Sequence, residues 1–296
     1  MKTPVFTGLA TAIVTPYRHG GIDYDKLGEL IDLQIAGGVD AIVACGSTGE
    51  SSTQSIDEHI QVVDFCVKRV GGRVKVIAGA GSNDTEAATL LSREAESSGA
   101  DALLHVTPYY NKTTQRGLVR HFTHIADAVG IPIILYNVPS RTSMSFTAQT
   151  YIELSRHKNI NGVKEASGSI PLAAATLAAC GDDLFIWSGN DNETISLMAL
   201  GAKGLISTCA NIIPAQMTQI THLCLRGDYA GALNIFYRYL DLMDNLFIEV
   251  NPIPLKTAMN LIGMDAGELR LPLCDMSPEN LEKLKASLQK AGFSLV

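Results

Sequence analysis

The sequence predicts an α/β chain: a (β/α)8 TIM barrel followed by a C-terminal helical extension. Three observations carry that expectation. Eight short, β-branched, apolar runs recur along the chain, helical patterns stand between them, and no Gly/Ser/Pro linker or composition shift interrupts residues 1–212. The apolar runs are near-continuous rather than alternating, which suits strands of a parallel sheet buried on both faces. A chain of 296 residues could hold two domains of about 150 residues, but a barrel takes up about 250 as one.

The runs occupy 8–17, 41–46, 74–81, 102–110, 131–140, 160–168, 185–191 and 204–211. Gly, Pro, Asn or Ser bound each, as expected of strands. Their starts fall roughly 30 residues apart through the first six, one βα unit per period. Leu27, Leu30, Ile31 and Ile35 have i, i+3, i+4, i+8 spacing, and Ile56, Ile60, Val63, Val67 and Val70 step by 4, 3, 4 and 3. Both predict amphipathic helices. Ser55 and Glu58 form a capping box at the start of the second, and Gly71-Gly72 stops it. Gly37-Gly38, Gly99-Ala100 and Gly130-Ile131 read as helix C-caps before the next strands. The first run lacks a G-x-G-x-x-G turn, which argues against the doubly wound alternative. Pro214–Arg226 closes the eighth unit. Residues 227–296 then read as helical, ending with a Ser277-Pro278 start and Leu281, Leu284, Leu288 and Gly292. The division expected is a catalytic barrel over 1–226 and an extension over 227–296.

Composition excludes several function classes. Acidic residues number 30 and basic ones 23, a net charge of −7, without the basic excess of a nucleic-acid binder. Cysteines 45, 66, 180, 209, 224 and 274 show no C-x-x-C pairing, the pattern of reduced thiols in a cytoplasmic protein. No apolar run reaches the ~18 residues that cross a membrane. Thr, Gly and Pro interrupt the apolar N-terminus, so it reads as a strand rather than a signal peptide. Charged residues make up 18%, against about 25% in typical domains, which leaves uncharged surface to bury against further copies of the chain.

Active sites of such barrels lie at the C-terminal ends of the strands. The sequence places Gly46-Ser47-Thr48-Gly49-Glu50 there after strand 2, and Thr107-Pro108-Tyr109-Tyr110-Asn111 after strand 4. Tyr136-Asn137-Val138-Pro139-Ser140-Arg141-Thr142 ends strand 5, Lys164-Glu165 lies in strand 6, and Ser188-Gly189-Asn190 ends strand 7. Lys164 has two readings from pattern alone. Burial disfavours its ammonium, and a neutral amine attacks a ketone to form a Schiff base; or it pairs with a carboxylate such as Glu165. The 46–50 loop can bind a small anion with amides and hydroxyls, or simply lead into a helix. Tyr136 and Tyr110 can move protons or pack. Arg141 can clamp a carboxylate with its planar fork, or sit exposed on a loop. No P-loop and no H-E-x-x-H occurs, and His121 and His124 lack acidic partners in sequence, so neither a metal nor a bound cofactor is expected.

Taken together and in this order, these motifs resemble the dihydrodipicolinate synthase / N-acetylneuraminate lyase family of class I aldolases. The match runs over nearly the whole chain. It includes Gly8, Thr15-Pro16, GSTGE at 46–50, TPYYN at 107–111, YNVPSRT at 136–142, GVKEAS at 162–167, GLIS at 204–207 and Asn251-Pro-Ile-Pro254. Arg141 and the Tyr-Tyr-Asn run look like the synthase branch. The resemblance implies condensation of pyruvate with L-aspartate-4-semialdehyde to 4-hydroxy-tetrahydrodipicolinate, on the path to diaminopimelate and lysine. It implies Lys164 as the Schiff base, Thr48 on the pyruvate carboxylate, Tyr136 as general acid/base, and Ser47 and Tyr110 as a proton relay, Tyr110 from a neighbouring subunit. Arg141 would bind the aldehyde's carboxylate, and Gly189 and Ile206 would line the pyruvate pocket. It further implies a homotetramer, a dimer of dimers, in the cytoplasm. A lyase of keto sugar acids or sialic acid is the alternative within the family, and a catalytically silent barrel the alternative outside it.

The sequence departs from the family's usual pattern in three places. Ser47 stands where Thr is usual, and Ser143 where Gly is usual. Ser51, His59, Asn83 and Tyr109 match a lysine-inhibition site, but Ile56 and Ala87 replace the His and Glu expected there. Weak or absent lysine inhibition is expected.

Overall fold

The computed structural model describes residues 2–296. All eight expected strands form: β1 Gly8–Ala12, β2 Ala41–Ala44, β3 Lys75–Gly79, β4 Ala102–Val106, β5 Ile133–Asn137, β6 Ile160–Glu165, β7 Phe185–Ser188 and β8 Gly204–Ser207. They pair in parallel and in order, and β8 closes onto β1 through Gly8↔Gly204 to Thr11↔Ser207. The result is the (β/α)8 barrel expected, with helices around it.

Alternate strand residues point to two apolar layers. Ala10, Val43, Ile77, Leu104, Ile134, Tyr136, Trp187 and Ile206 face the barrel interior. The other set, including Leu9, Ile42, Leu103, Leu135, Val163 and Leu205, packs beneath the helices. Phe6 stacks on Trp187 at 5.1 Å below this interior. The Lys2 ammonium donates to the carbonyls of Ser155, Ile160 and Asp183 at 2.6, 2.6 and 2.9 Å.

Local rules hold where the sequence stated them most strongly. The second helix, Ile56–Val70, carries the full Ser55/Glu58 capping box and stops at Gly71 in the left-handed conformation. The extent of the first run needs correction. The first run ends as a barrel strand at Ala12, not residue 17. Beyond it the Val14 amide turns to the Asn211 side chain at 3.2 Å, and Tyr17–Arg18 pairs with Gly21–Ile22 in a small antiparallel ribbon. Ser277 is the N-cap residue of the last helix, Pro278–Lys290, with Pro278 opening it as expected, although its side chain makes no cap hydrogen bond. Its hydroxyl donates to Glu249 at 2.8 Å instead.

Residues beyond 226 form helices Tyr229–Asn245, Ile253–Leu261 and Pro278–Lys290. The segment between the first two returns to the mouth of the barrel, where residues 247–251 line the cavity over Lys164. The extension therefore builds part of the site.

Candidate active site

Tyr136 on β5 and Lys164 on β6 are register partners, so both side chains point into the barrel at one level. The Lys164 ammonium nitrogen lies 4.4 Å from the centre of the Tyr136 ring, and both residues are buried. Glu165 points the other way. Its carboxylate accepts from Asn137 Nδ2 at 3.0 Å, from the Tyr151 hydroxyl at 3.0 Å and from the Ser167 amide at 2.9 Å. The pairing of Lys164 with Glu165 is thereby excluded. Burial pushes the Glu165 carboxyl above the usual carboxylate range, and its hydrogen bonds oppose that shift.

Gly189 explains itself sterically. A Cβ there would meet the Ala166 Cβ at 2.7 Å and the Lys164 Cγ and Cε at 3.1 Å. Only glycine leaves room for the lysine to cross from its strand into the cavity.

The 46–50 loop follows β2. Gly49 and Glu50 amides close back on Gly46 and Ser47 carbonyls at 3.0 and 3.1 Å. The Ser47 and Thr48 amides donate to nothing in the protein among the described residues. Unspent adjacent N–H groups of this kind make an anion-binding concavity. Glu50 ends the loop in the left-handed conformation, φ 55°, and its carboxylate is anchored from the extension. Lys256 donates to it at 2.6 Å and the Arg270 amide at 3.1 Å. The Lys256 and Glu50 side chains are 1% and 0% exposed. Burial lowers the Lys256 ammonium's pKa, and the Glu50 charge opposes this. The Arg270 guanidinium lies 4.0 Å from the centre of the Tyr17 ring and grips Glu58 with both nitrogens, at 2.6 and 2.8 Å.

Arg141 lies in a helical turn, Pro139–Thr142, that follows β5 and ends at Ser143 with φ 52° and ψ 27°. That is the left-handed conformation in which glycine is easiest, so Ser143 keeps the backbone that a glycine would have. Arg141 Nη2 donates to the Asn251 carbonyl at 3.0 Å, and Asn251 Nδ2 donates to Thr48 Oγ1 at 3.0 Å.

Two cavities meet here. One of about 460 Å³ lies over Lys164 and Gly189. The other, about 490 Å³, runs from Tyr136 past Glu50, Ser51, Ile56 and His59 to Tyr109. Both are lined by Ser47, Tyr136, Arg141 and Asn251. Thus Ser47, Thr48, Tyr136, Arg141, Lys164 and Gly189 come together. Two expected residues do not join them. Ile206 lines neither cavity: it is fully buried, its side chain taken up by packing in the interior cluster with Tyr136 and Trp187. Tyr110 lines neither cavity of its own chain and is 94% exposed.

Asn251, Lys256 and Arg270 are the residues whose parts in the site sequence reasoning missed. Lys256 did leave a signal. It falls on the stripe of Ile253, Leu255, Ala258 and Met259 that its helix buries, and a lysine there requires a buried partner. His121 and His124 have ordinary partners, Thr85 at 2.9 Å and Glu86 at 3.5 Å. Among the described residues no three His, Cys, Asp or Glu gather as a metal site, and no helix is long and apolar enough to cross a membrane.

A profile of the dihydrodipicolinate synthetase family matches residues 5–291. The chain belongs to this family. It is 53% identical over 291 residues to the 4-hydroxy-tetrahydrodipicolinate synthase of Thermoanaerobacter sp. (strain X514), covering 98% of each chain. It is 51% identical over 286 residues to the enzyme of the same name from Geobacter sulfurreducens, covering 97% of this chain and 99% of that one. The crystal structure of dihydrodipicolinate synthase from Aquifex aeolicus superposes with a TM-score of 0.96 at 45% identity, covering 98% and 99%.

Proposed function

We propose that this enzyme condenses pyruvate with L-aspartate-4-semialdehyde to give 4-hydroxy-tetrahydrodipicolinate, a step of lysine biosynthesis through diaminopimelate. The observation that carries the reading is the buried Lys164 amine beside the Tyr136 ring, at the floor of a cavity whose rim offers the free amides of Ser47 and Thr48. The Lys164 amine attacks the pyruvate keto carbon, and the carbonyl oxygen leaves as water. Tyr136 serves as the acid and base for these proton transfers. The Thr48 hydroxyl and amide hold the pyruvate carboxylate, and Gly189 keeps the approach open.

The protonated imine is the electron sink, so the reaction needs no external cofactor. It acidifies the pyruvate methyl group, whose proton leaves through Tyr136 and Ser47. The resulting enamine bonds to the aldehyde carbon, and the aldehyde oxygen gains a proton. The substrate's own amine then adds to the imine carbon, and Lys164 departs as the ring closes. Arg141 binds the carboxylate of the second substrate by its two-pronged geometry.

Tyr110 belongs to the relay through a neighbouring subunit; its exposure in this chain supports that part of the reading. The assembly is a homotetramer, a dimer of dimers, which sedimentation measures directly. The reaction is placed in the cytoplasm. The test of function is a pair of assays. Turnover of pyruvate with aspartate semialdehyde is followed through coupled dihydrodipicolinate reductase. Borohydride with pyruvate should trap a reduced pyruvyl adduct on Lys164, and Lys164→Ala should fold but neither turn over nor trap. Absence of the adduct in the unaltered enzyme refutes the Schiff-base reading. Release of pyruvate from a sugar acid, without the coupled activity, would favour the lyase.

A further inference from the structure

One residue of the extension touches both carboxylate-binding elements. The Asn251 carbonyl accepts from Arg141 at 3.0 Å, and its side-chain amide nitrogen donates to the Thr48 hydroxyl at 3.0 Å. Asn251 is buried and lines both cavities.

A hydroxyl has one proton to donate and two lone pairs to accept with. Asn251 Nδ2 fills one acceptor position on Thr48 Oγ1. The Thr48 hydroxyl proton has no acceptor in the protein among the described residues; its only side-chain partner is Asn251. The amide holds one lone pair of the hydroxyl, and the proton, with no such acceptor, is left to donate into the cavity over Lys164. Paired with the free Ser47 and Thr48 amides, it makes a purely donating face that suits a carboxylate. A neighbouring acceptor would reverse this. The hydroxyl would then donate sideways and turn a lone pair toward the cavity, where it would repel the anion.

We propose that Asn251 is a positioning residue that fixes the polarity of the Thr48 hydroxyl, committing its proton to the carboxylate of the bound keto acid. The inference rests on the function proposed above, and deepens it by assigning how the keto-acid subsite selects an anion. Asn251→Asp tests it, because aspartate has the same shape but only accepts. The KM for pyruvate should rise about ten- to hundredfold, the worth of one charge-assisted hydrogen bond. Asn251→Ala, which lets the hydroxyl turn freely, should raise it less. The KM for aspartate semialdehyde should move less in both, since Arg141 bonds a backbone carbonyl that both variants keep. A residue with a merely structural part predicts the opposite order, with alanine worse than aspartate.

The new negative charge alone would also weaken pyruvate binding, and a cycle with Thr48→Ala separates the two effects. In that background the aspartate substitution should lose most of its effect on the pyruvate KM. A pyruvate KM within twofold of the unaltered enzyme in Asn251→Asp, alanine worse than aspartate, or an undiminished effect without the Thr48 hydroxyl would each overturn the inference. The Lys164 adduct of the unaltered enzyme is measured alongside. Its absence would refute the proposed function, whereas its presence with any of those three results refutes only the part given to Asn251.

Discussion

Replacing Lys256 with methionine removes half of a buried ion pair while nearly keeping its volume. The Lys256 ammonium makes two bonds of 2.6 Å, to Glu50 Oε1 and to the Glu268 carbonyl, and stands 4.6 Å from the centre of the Tyr17 ring. Without it the Glu50 carboxylate retains one donor, the Arg270 amide at 3.1 Å, in a site where its side chain is 0% exposed. Breaking a buried pair from one side costs about 3–5 kcal/mol, because the remaining charge is left uncompensated. At about 2–4 °C per kcal/mol for a large domain, the melting temperature should fall by roughly 6–20 °C. Calorimetry at pH 7 and fixed protein concentration is the assay, since association also shifts Tm. The double variant Glu50→Gln with Lys256→Met leaves no lone charge and should recover most of the loss. A fall of less than about 2 °C in the single variant, or no recovery in the double one, would refute the argument that charge compensation holds the 46–50 loop to the extension.

Ser143→Gly should stabilise the chain by about 1 kcal/mol, the cost of a left-handed residue with a side chain; a destabilised variant would show that Ser143 is held by more than its backbone angles. Gly189→Ala should fold yet trap little pyruvate on Lys164, because its Cβ would occupy space within 3.1 Å of Lys164 Cγ and Cε; normal trapping would contradict the steric account. Burial holds the His105 imidazole down at about 3 against an ordinary 6.5. A depressed folded pKa means that the unfolded chain binds the proton first, so this contribution is complete above pH 6.5 and is lost as pH falls toward 3. The slope should reach about 1.4 kcal/mol per pH unit, and His105→Gln should flatten it; an unchanged acid slope sinks the idea. Lysine should inhibit weakly or not at all, since Ile56, which lines the second cavity, brings no ring nitrogen and Ala87 no carboxylate; a micromolar inhibition curve would contradict that.

The barrel was legible because its strands are buried on both faces. Such strands read as continuous apolar runs, and the turns between them carry their own Gly, Pro and Asn punctuation. The same property hides the faces. β6 is buried at all six positions, so no alternation in its sequence tells that Lys164 enters the cavity while Glu165 leaves it. Only the register with Tyr136 decides this. Strand length was overread in the first run for a related reason: Ile13 and Val14 are as buried as the strand before them, so hydrophobicity continues where the parallel ladder has ended.

The extension was legible as helices and illegible as part of the site. Periodicity reports which face of a helix is buried, not what it is buried against. The contact between Glu50 and Lys256 spans 206 residues, and no local pattern encodes such a distance. What the sequence does hold is a cost without a visible return: a lysine on an apolar stripe and a glutamate closing a loop of small residues. Each is expensive to bury alone and affordable to bury together. The same reasoning applies to Asn251, a polar residue ahead of two prolines that would be wasted on a connecting turn. Unmatched buried polar groups in a tail are therefore the places to look for its contact with a barrel mouth, and here they lead to Thr48 and Arg141, the two residues proposed to hold the substrates' carboxylates.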